Sequence, residues 1–304
     1  MPTTVAKENV TLAHLRTLLL VMQHGGYAAA SRQSSLSVPS IWQHIRALEQ
    51  AYEAELFRRD GRQVIPTDAA RRLYEEAEQI LNRLDSTFSV VAENPQQSLR
   101  IVAGVRMTLE DLAEPLAEFR TRFDSSLVLR QGNEQRAEEL ILADEADLAL
   151  ALEPGPKKTS PRIHYEPAYT VEFLAIAKKN HPFIKSRRHS LRDIAEHGLV
   201  VSVEGTHGRD ALDQSLHREG LSANIVAETD NSAFTIACAA AGMGVGILAG
   251  QSTGRLSKQL SSVSLSKQLG RRKIVLMWRK GRLLSEPMLH LIELIKSKHQ
   301  KPVA

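Results

Sequence analysis

From Gly26 to Glu49 the chain reads GYAAASRQSSLSVPSIWQHIRALE, and this stretch limits the possible folds more than any other. Two helical patterns meet at Ser34–Ser37, where short hydroxylated side chains compete for backbone hydrogen bonds and favour a turn or cap. Ser37 stands where it can cap the second helix, and Pro39 falls in the first turn, where a missing N–H costs little. Ile41, Ile45 and Leu48 recur at i, i+4 and i+7, which makes one buried stripe and leaves Ser40, Gln43, His44 and Arg46 largely on other faces. That exposed face carries donors rather than acids, as a helix entering a DNA major groove requires. The same periodicity also fits a helical hairpin in the core of an enzyme.

The next segment shifts the balance. Leu56 to Ala70 reads LFRRDGRQVIPTDAA, in which Asp60-Gly61 is a hairpin turn between two short extended pieces, the pattern of a wing. Arg58, Arg59 and Arg62 then lie where a wing meets phosphates, a positioning role that reads no sequence.

These residues resemble the N-terminal pattern of the LysR-type transcriptional regulators. Gly25-Gly26-Tyr27, Ala29-Ala30, Ser37, Pro39, Ile45, Leu48-Glu49, Leu56-Phe57, Arg59 and Thr67 fall in register with it. The chain departs from the pattern where Ser34 replaces the usual leucine, Val38 a glutamine, Trp42-Gln43 a serine-arginine pair, and Glu53 and Ala70 two glycines. The resemblance implies a winged helix-turn-helix that binds double-stranded operator DNA. Its contacts would come from Arg32, Ser37, Val38, Pro39, Ser40, Trp42, Gln43, Arg46, Arg58, Arg59 and Arg62. Base preference does not transfer, because Val38, Trp42 and Gln43 replace the side chains the family places against bases.

Charge adds little. The whole chain of 304 residues carries +4. Leu12 to Arg72 holds eight arginines against five acids, so binding depends on where the arginines sit and on several copies of the domain acting together. The length suggests two or three domains. The single cysteine, Cys238, excludes an intrachain disulfide, fits a reducing cytoplasm and falls in an Ala-rich helix, where packing is its expected role. The N-terminal MPTTVAKENV lacks the apolar run of a signal peptide. The uncharged stretch Asn231–Gly254 contains five glycines and several hydroxyls, which fits a buried helix, a turn and a strand better than a membrane span.

Thr67 to about Ala92 reads as one long helix with Leu73, Ile80, Leu84 and Phe88 apolar. Such a helix either packs on its own domain or, as the resemblance implies, pairs with another subunit. The polar, proline-containing Glu93–Ser98 marks a domain boundary. Beyond it strands are expected at Leu99–Val105, Ser126–Arg130, Asp147–Leu152, Val171–Lys178, Leu199–Val203 and Ile225–Thr229. Helices are expected at Leu109–Phe123, Asn133–Ala143, Leu191–Glu196, Arg209–Glu219 and Ala233–Ala241. This order resembles the LysR-type effector domain, with matches at Leu99-Arg100-Ile101, Asp147-Leu148-Ala149, His181-Pro182-Phe183 and Ala241-Gly242-Met243-Gly244-Val245-Gly246-Ile247.

The implied architecture is an α+β multi-domain chain. Residues 1–70 would form the winged helix-turn-helix and 71–95 the linker (dimerisation) helix. Residues 96–304 would form an α/β two-lobed, periplasmic-binding-protein-like (type 2) effector domain, with lobe 1 at about 96–168 and 270–304 and lobe 2 at about 169–269. The resemblance further implies a cytoplasmic homodimer or homotetramer that meets RNA polymerase at a promoter.

In such folds ligands bind at the C-terminal ends of strands, where helix N-termini offer free N–H groups to anions. That places a small, anionic effector against Gly104, Arg106, Thr108, Gln131, Ser202, Glu204, Thr206 and Arg209. Arg106 stands where the family often has Ser or Thr, and it reads equally as a bidentate anion clamp or as a surface arginine. Arg209 is divided between ligand contact and a structural ion pair. Glu204, if it faces the cleft, argues against a dianion. In Gly242-x-Gly244-x-Gly246 the helix precedes and the strand follows, opposite to the order a dinucleotide loop needs, so a tight turn is expected.

No catalytic set, metal-ligand spacing or cofactor motif is found; His164, His181, His189, His197 and His207 are scattered. From Arg255 to Lys301 there are twelve Lys or Arg against two acids, with Leu-Ser-Lys-Gln-Leu at 256–260 and 265–269. This reads as a solvated basic surface, added DNA attraction or contact with a neighbouring subunit. The rival readings from other classes are a solute-binding protein built on the effector fold and a cytosolic enzyme using its cleft. The winged pattern opposes the first and the lack of convergent acid–base groups the second.

Overall fold

The computed structural model describes residues 9–60, 63–91, 98–155, 159–186, 188–251 and 260–300. The chain divides into two compact units, Met1–Asn94 with Arg279–Leu284 and Pro95–Trp278 with Ser285–Ala304. The expected boundary at Glu93–Ser98 and the first Leu-Ser-Lys-Gln-Leu copy, up to residue 259, fall largely outside the described residues.

In the first unit, helices α1 (Leu12–His24), α2 (Tyr27–Arg32) and α3 (Val38–Tyr52) precede strands β1 (Phe57–Asp60) and β2 (Gln63–Pro66), and the long helix α4 (Asp68–Val91) follows. Thr11 caps α1 by accepting from the His14 amide at 3.3 Å. Ser37 caps α3 by accepting from the Ser40 amide at 3.2 Å, with Pro39 in the first turn. The expected stripe is buried: Ile41, Ile45 and Leu48 pack with Leu15, Leu18 and Val21 of α1 and with Ala77 and Leu81 of α4. The apolar residues of α4 divide between two faces. Ala70, Ala77 and Leu81 enter this core, while Ile80 and Phe88 remain exposed.

The second unit is built on one nine-stranded sheet in the order β4-β3-β5-β11-β6-β9-β7-β8, with β10 paired to β6. Its elements follow in chain order. They are β3 (Leu99–Ala103), a π-helical segment Met107–Leu112 that runs into α5 (Ala113–Arg122), β4 (Leu127–Gln131), α6 (Glu134–Leu142), β5 (Leu148–Leu152) and β6 (Ile163–Ala177). The chain continues through α7 (Pro182–Lys185), α8 (Leu191–Ala195), β7 (Gly198–Ser202), α9 (His207–Arg218), β8 (Asn224–Thr229), α10 (Ser232–Ala241) and β9 (Val245–Gly250). It closes with β10 (Ser261–Ser264), α11 (Ser266–Leu269), β11 (Arg271–Arg279) and α12 (Glu286–Gln300).

β3 pairs in parallel with β4 and β5, β7 in parallel with β8 and β9, and the long β6 runs antiparallel to β9. Separate cores lie on the two halves, one around Val102, Leu140, Ala149 and Val275, the other around Phe173, Leu199, Leu212 and Ile247.

Two expectations need correction. β6 begins at Ile163, eight residues before the expected Val171: Ile163, Tyr165, Tyr169 and Val171 alternate with mostly polar residues, and Pro167, which removes a ladder donor, hid the extension. The C-terminal basic stretch is not all solvated surface: Ile274–Trp278 are buried in β11, which pairs antiparallel with β5. Its charges cluster at Arg271–Lys273 ahead of an apolar run, so composition concealed a central strand. The glycine run forms the expected turn, with Gly242 ending α10 at φ 90° and β9 starting at Val245.

Candidate functional sites

In the first unit α3 and the wing share one face. Val38, Pro39, Trp42, Gln43 and Arg46 are exposed along α3, and Arg58 and Arg59 are exposed on β1. A groove of about 440 Å³ is lined by Tyr27, Trp42, Arg46, Arg58 and Arg59, with Glu49, Glu53 and Glu55 also on its wall. Glu49 sets this geometry, because its Oε1 accepts from the Leu56 amide at 2.9 Å and the Phe57 amide at 3.4 Å, fastening the start of the wing to the helix. Thr67 fastens the other end by donating its hydroxyl to the Glu55 carbonyl at 2.7 Å. Arg59 pairs with Val64 across the hairpin. Arg32 is exposed at the end of α2, whereas Arg62 lies outside the described residues.

Within this set the hydroxyls of Ser37 and Ser40 are 2.8 Å apart and engaged in the cap, which leaves them less free for DNA than the side chains one turn on. His44 turns away to α1, with Nδ1 at 2.7 Å from the Thr17 hydroxyl. Glu53, where the family pattern has glycine, sits at φ 50° and closes α3 in a left-handed cap that an L-residue adopts at a cost of about 1 kcal/mol.

In the second unit a cavity of about 140 Å³ opens at the C-terminal ends of β3, β4, β5 and β7. Gly104, Arg106, Gln131, Ser202, Thr206 and Arg209 line it, as expected from the strand-end rule. Thr108 and Glu204 are not among the lining residues. Thr108 lies one turn into the helical segment and donates to the Gly104 carbonyl at 3.2 Å, and the Glu204 side chain is 82% exposed. Most of the wall is apolar, with Leu150, Phe173, Leu212 and Ile247 contributing.

Sequence reasoning missed Asp230, Asn231 and Ser232, which also line the cavity. The signal was present: β8 ends at Thr229, and Asn231 caps the following helix by accepting from the Ala233 and Phe234 amides. The cavity thus meets the N-terminal ends of α6, α9 and α10, capped by Asn133, Thr206 and Asn231.

The two arginines are corrected by their partners. Arg106 is only 4% exposed, so it is no surface residue, and its guanidinium stands 3.3 Å from both Glu110 and Asp111. One buried cation facing two carboxylates has no net charge to offer a dianion. Arg209, 6% exposed, binds Asp213 at 2.8 Å, Glu228 and the Ser202 carbonyl, with Glu204 at 3.6 Å. The structural ion pair is thus present, and Arg209 also borders the cavity. Both lie i to i+4 from an acid, a spacing visible in the sequence.

Behind Arg106 the Tyr169 hydroxyl donates to Asp111 at 2.6 Å, and its ring stacks on His299 at 3.6 Å. Burial raises the Tyr169 phenol, and the neighbouring Asp111 carboxylate raises it further. His299 Nδ1 is 3.1 Å from the Gln251 amide nitrogen. Burial lowers the imidazole below its ordinary 6.5; Asp111 opposes this, while Lys298 and Arg106 add to it. The unfolded chain therefore takes up this proton first as pH falls below 6.5. The associated stability is intact above that pH and is lost as pH falls through the lower folded value. Urea midpoints at pH 7.5 and 5.5 should show a drop that is smaller in His299→Gln; an equal drop in the variant refutes the assignment.

The comparison with known sequences settles the family. The family model described as "LysR substrate binding domain" matches residues 92–300, and "Bacterial regulatory helix-turn-helix protein, lysR family" matches residues 12–71. The chain belongs to the LysR family of transcriptional regulators. It is 27% identical over 234 residues to the HTH-type transcriptional regulator CysB of Burkholderia cenocepacia, covering 75% of this chain and 74% of that protein. It is 26% identical over 259 residues to the HTH-type transcriptional regulator cbl of Escherichia coli, covering 84% and 77%.

Among solved structures, the cofactor-binding domain of the Cbl transcriptional regulator aligns with a TM-score of 0.59 at 25% identity, covering 67% of this chain and 90% of that one. HinK, a LysR family transcriptional regulator from Pseudomonas aeruginosa, shares the fold over 95% of this chain and 98% of that one, with a TM-score of 0.56 at 19% identity. This LysR-type regulator therefore carries a DNA-binding unit and an effector-binding domain. Among its described residues no group of three or more His, Cys, Asp and Glu could hold a metal ion, and no helix is long and apolar enough to cross a membrane.

Proposed function

We propose that this LysR-type regulator reads an operator half-site with α3, holds the flanking phosphates with Arg58 and Arg59, and changes its DNA binding or bending when a small, anionic metabolite enters the second-unit cavity. The observation that carries the DNA assignment is the shared face of α3 and the wing, clamped by Glu49. In this reading residues 1–70 are the DNA-binding domain, 71–95 the linker helix and 96–304 the effector domain. The metabolite's carboxylate lies at the N-terminal ends of α9 and α10 beside Ser202, and its body lies on Phe173 and Ile247. Because Arg106 and Arg209 are already paired, this favours a monoanion with an apolar body over a dianion.

The exposed Ile80 and Phe88 of α4 support pairing with a second copy of the chain, as a homodimer or as half of a homotetramer. The protein works in the cytoplasm, and its output passes through RNA polymerase. Ligand and DNA are linked because each favours one arrangement of the subunits.

The test is selection of genomic DNA fragments by the purified protein at two salt concentrations. A roughly palindromic site that persists at the higher salt is expected; purely salt-sensitive retention overturns sequence reading. Gln43→Ala should relax base preference within the selected site. Arg59→Ala should weaken all sequences alike and reduce the salt slope by about 1. Indistinguishable effects of the two variants would refute this division of roles.

A further inference from the structure

The DNA-facing row of α3 has an unusual composition for a surface meant to hydrogen-bond to bases. Val38 is 41% and Trp42 48% exposed, and Pro39 lies exposed between them in sequence. Val38, Trp42 and Arg46 follow one another at i, i+4 and i+8, so they form a continuous ridge. Arg46 is drawn onto that ridge, with its guanidinium 5.2 Å from the Trp42 ring centre and 3.6 Å from Glu49. The side chain best suited to guanine is therefore held by an aromatic face and an acid. Gln43, the remaining exposed polar group one turn on from Pro39, has the amide that pairs with adenine.

An apolar side chain in the major groove has one base feature to bury, the C5 methyl group of thymine. We propose that Trp42, with Val38 beside it, is the specificity-determining residue of this regulator and selects thymine by covering its methyl group, while Gln43 reads an adjacent adenine. The half-site is then read as an A·T step through methyl burial and one amide, and guanine contributes little. Trp42 is suited to this role because its indole is large and rigid and, even with Arg46 against its ring, is 48% exposed. This rests on α3 being the recognition helix, so the experiment must separate the two ideas.

The probe is the DNA site selected from a random duplex pool by the full-length protein, resynthesised with deoxyuridine in place of thymidine at single positions. The exchange removes one methyl group and keeps base pairing. Wild type should lose about fourfold in affinity at one or two positions of each half-site, the effect of exposing one buried carbon. Trp42→Ala should bind the thymidine and deoxyuridine sites equally, and Trp42→Phe should keep part of the discrimination. Circular dichroism and thermal unfolding report whether each variant is folded; Trp42 is half-exposed, so its loss should leave the fold intact.

Equal loss on methyl removal in wild type and Trp42→Ala would overturn the proposal by assigning the methyl effect to another group or to DNA shape. So would no loss in wild type while Gln43→Ala still relaxes base preference, a result that leaves α3 as the recognition helix. If no sequence is enriched, or if neither residue alters the enriched sequence, the recognition-helix reading fails and the proposal fails with it.

Discussion

Replacing Arg106 with alanine should lower the unfolding free energy of the second unit by about 3–5 kcal/mol, the usual cost of stranding buried charge by removing one partner. Glu110 and Asp111 both stand 3.3 Å from the guanidinium and are 13% and 6% exposed, so water cannot replace it at low cost. Asp111 would be left with the Tyr169 hydroxyl, at 2.6 Å, and His299, at 4.0 Å, neither of which is a fixed cation. Burial already raises the carboxyl of Glu110 against the pull of Arg106, and loss of the arginine removes that pull. Urea unfolding at pH 7 measures the change. An Arg106→Met, Asp111→Asn double variant should lose less than the sum of its parts, because the stranded charge is reduced. A loss below about 1 kcal/mol in Arg106→Ala would show that the cluster does not depend on its cation.

The second large effect is expected from one methyl group. A Cβ on Gly244 would stand 2.2 Å from the carbonyl oxygen of Gly198 and 2.9 Å from its carbonyl carbon. Both belong to the backbone of β7, which pairs with β9 at Leu199↔Val245 immediately beside this point. No side chain can swing aside, so the strands must part. Gly244→Ala should therefore destabilise by about 3 kcal/mol, the upper part of the range for overpacking. Gly242→Ala should cost nearer 1 kcal/mol, the penalty for an L-residue in the left-handed region. Its nearest neighbour is the flexible end of Lys178, which can move. Thermal unfolding of the two variants side by side measures the difference, and equal losses would place the constraint in backbone conformation instead of strand contact.

The same glycine run illustrates how local signals carried the fold. A helix that stops at a glycine and a strand that follows within three residues are set by neighbours in sequence, so the order of elements was legible. The cap at Ser37 and the stripe Ile41, Ile45 and Leu48 were legible for the same reason, since capping and helical burial act over one to two turns. β11 was not. Arg271, Arg272 and Lys273 lead into it, and only its pairing with β5, more than a hundred residues earlier, takes its apolar half into the core. α4 likewise shows several apolar residues whose division into a covered and an uncovered face depends on where α1 and α3 pack.

By itself, then, the sequence determined a winged helix-turn-helix followed by an alternating α/β domain, and it placed six of the eight expected effector residues on one cavity. The element order follows from periodicity and capping, which are short-range, and the cavity residues from the strand-end rule applied to the fold that the resemblance implied. Tertiary structure alone decided what the charges do. The i, i+4 acids beside Arg106 and Arg209 could be read from the chain, yet only burial turns such a pair from a screened surface contact into a fixed, neutralised unit. It also decided that Arg46 lies against the Trp42 ring and Glu49, because side chains one turn apart meet only once their rotamers are fixed.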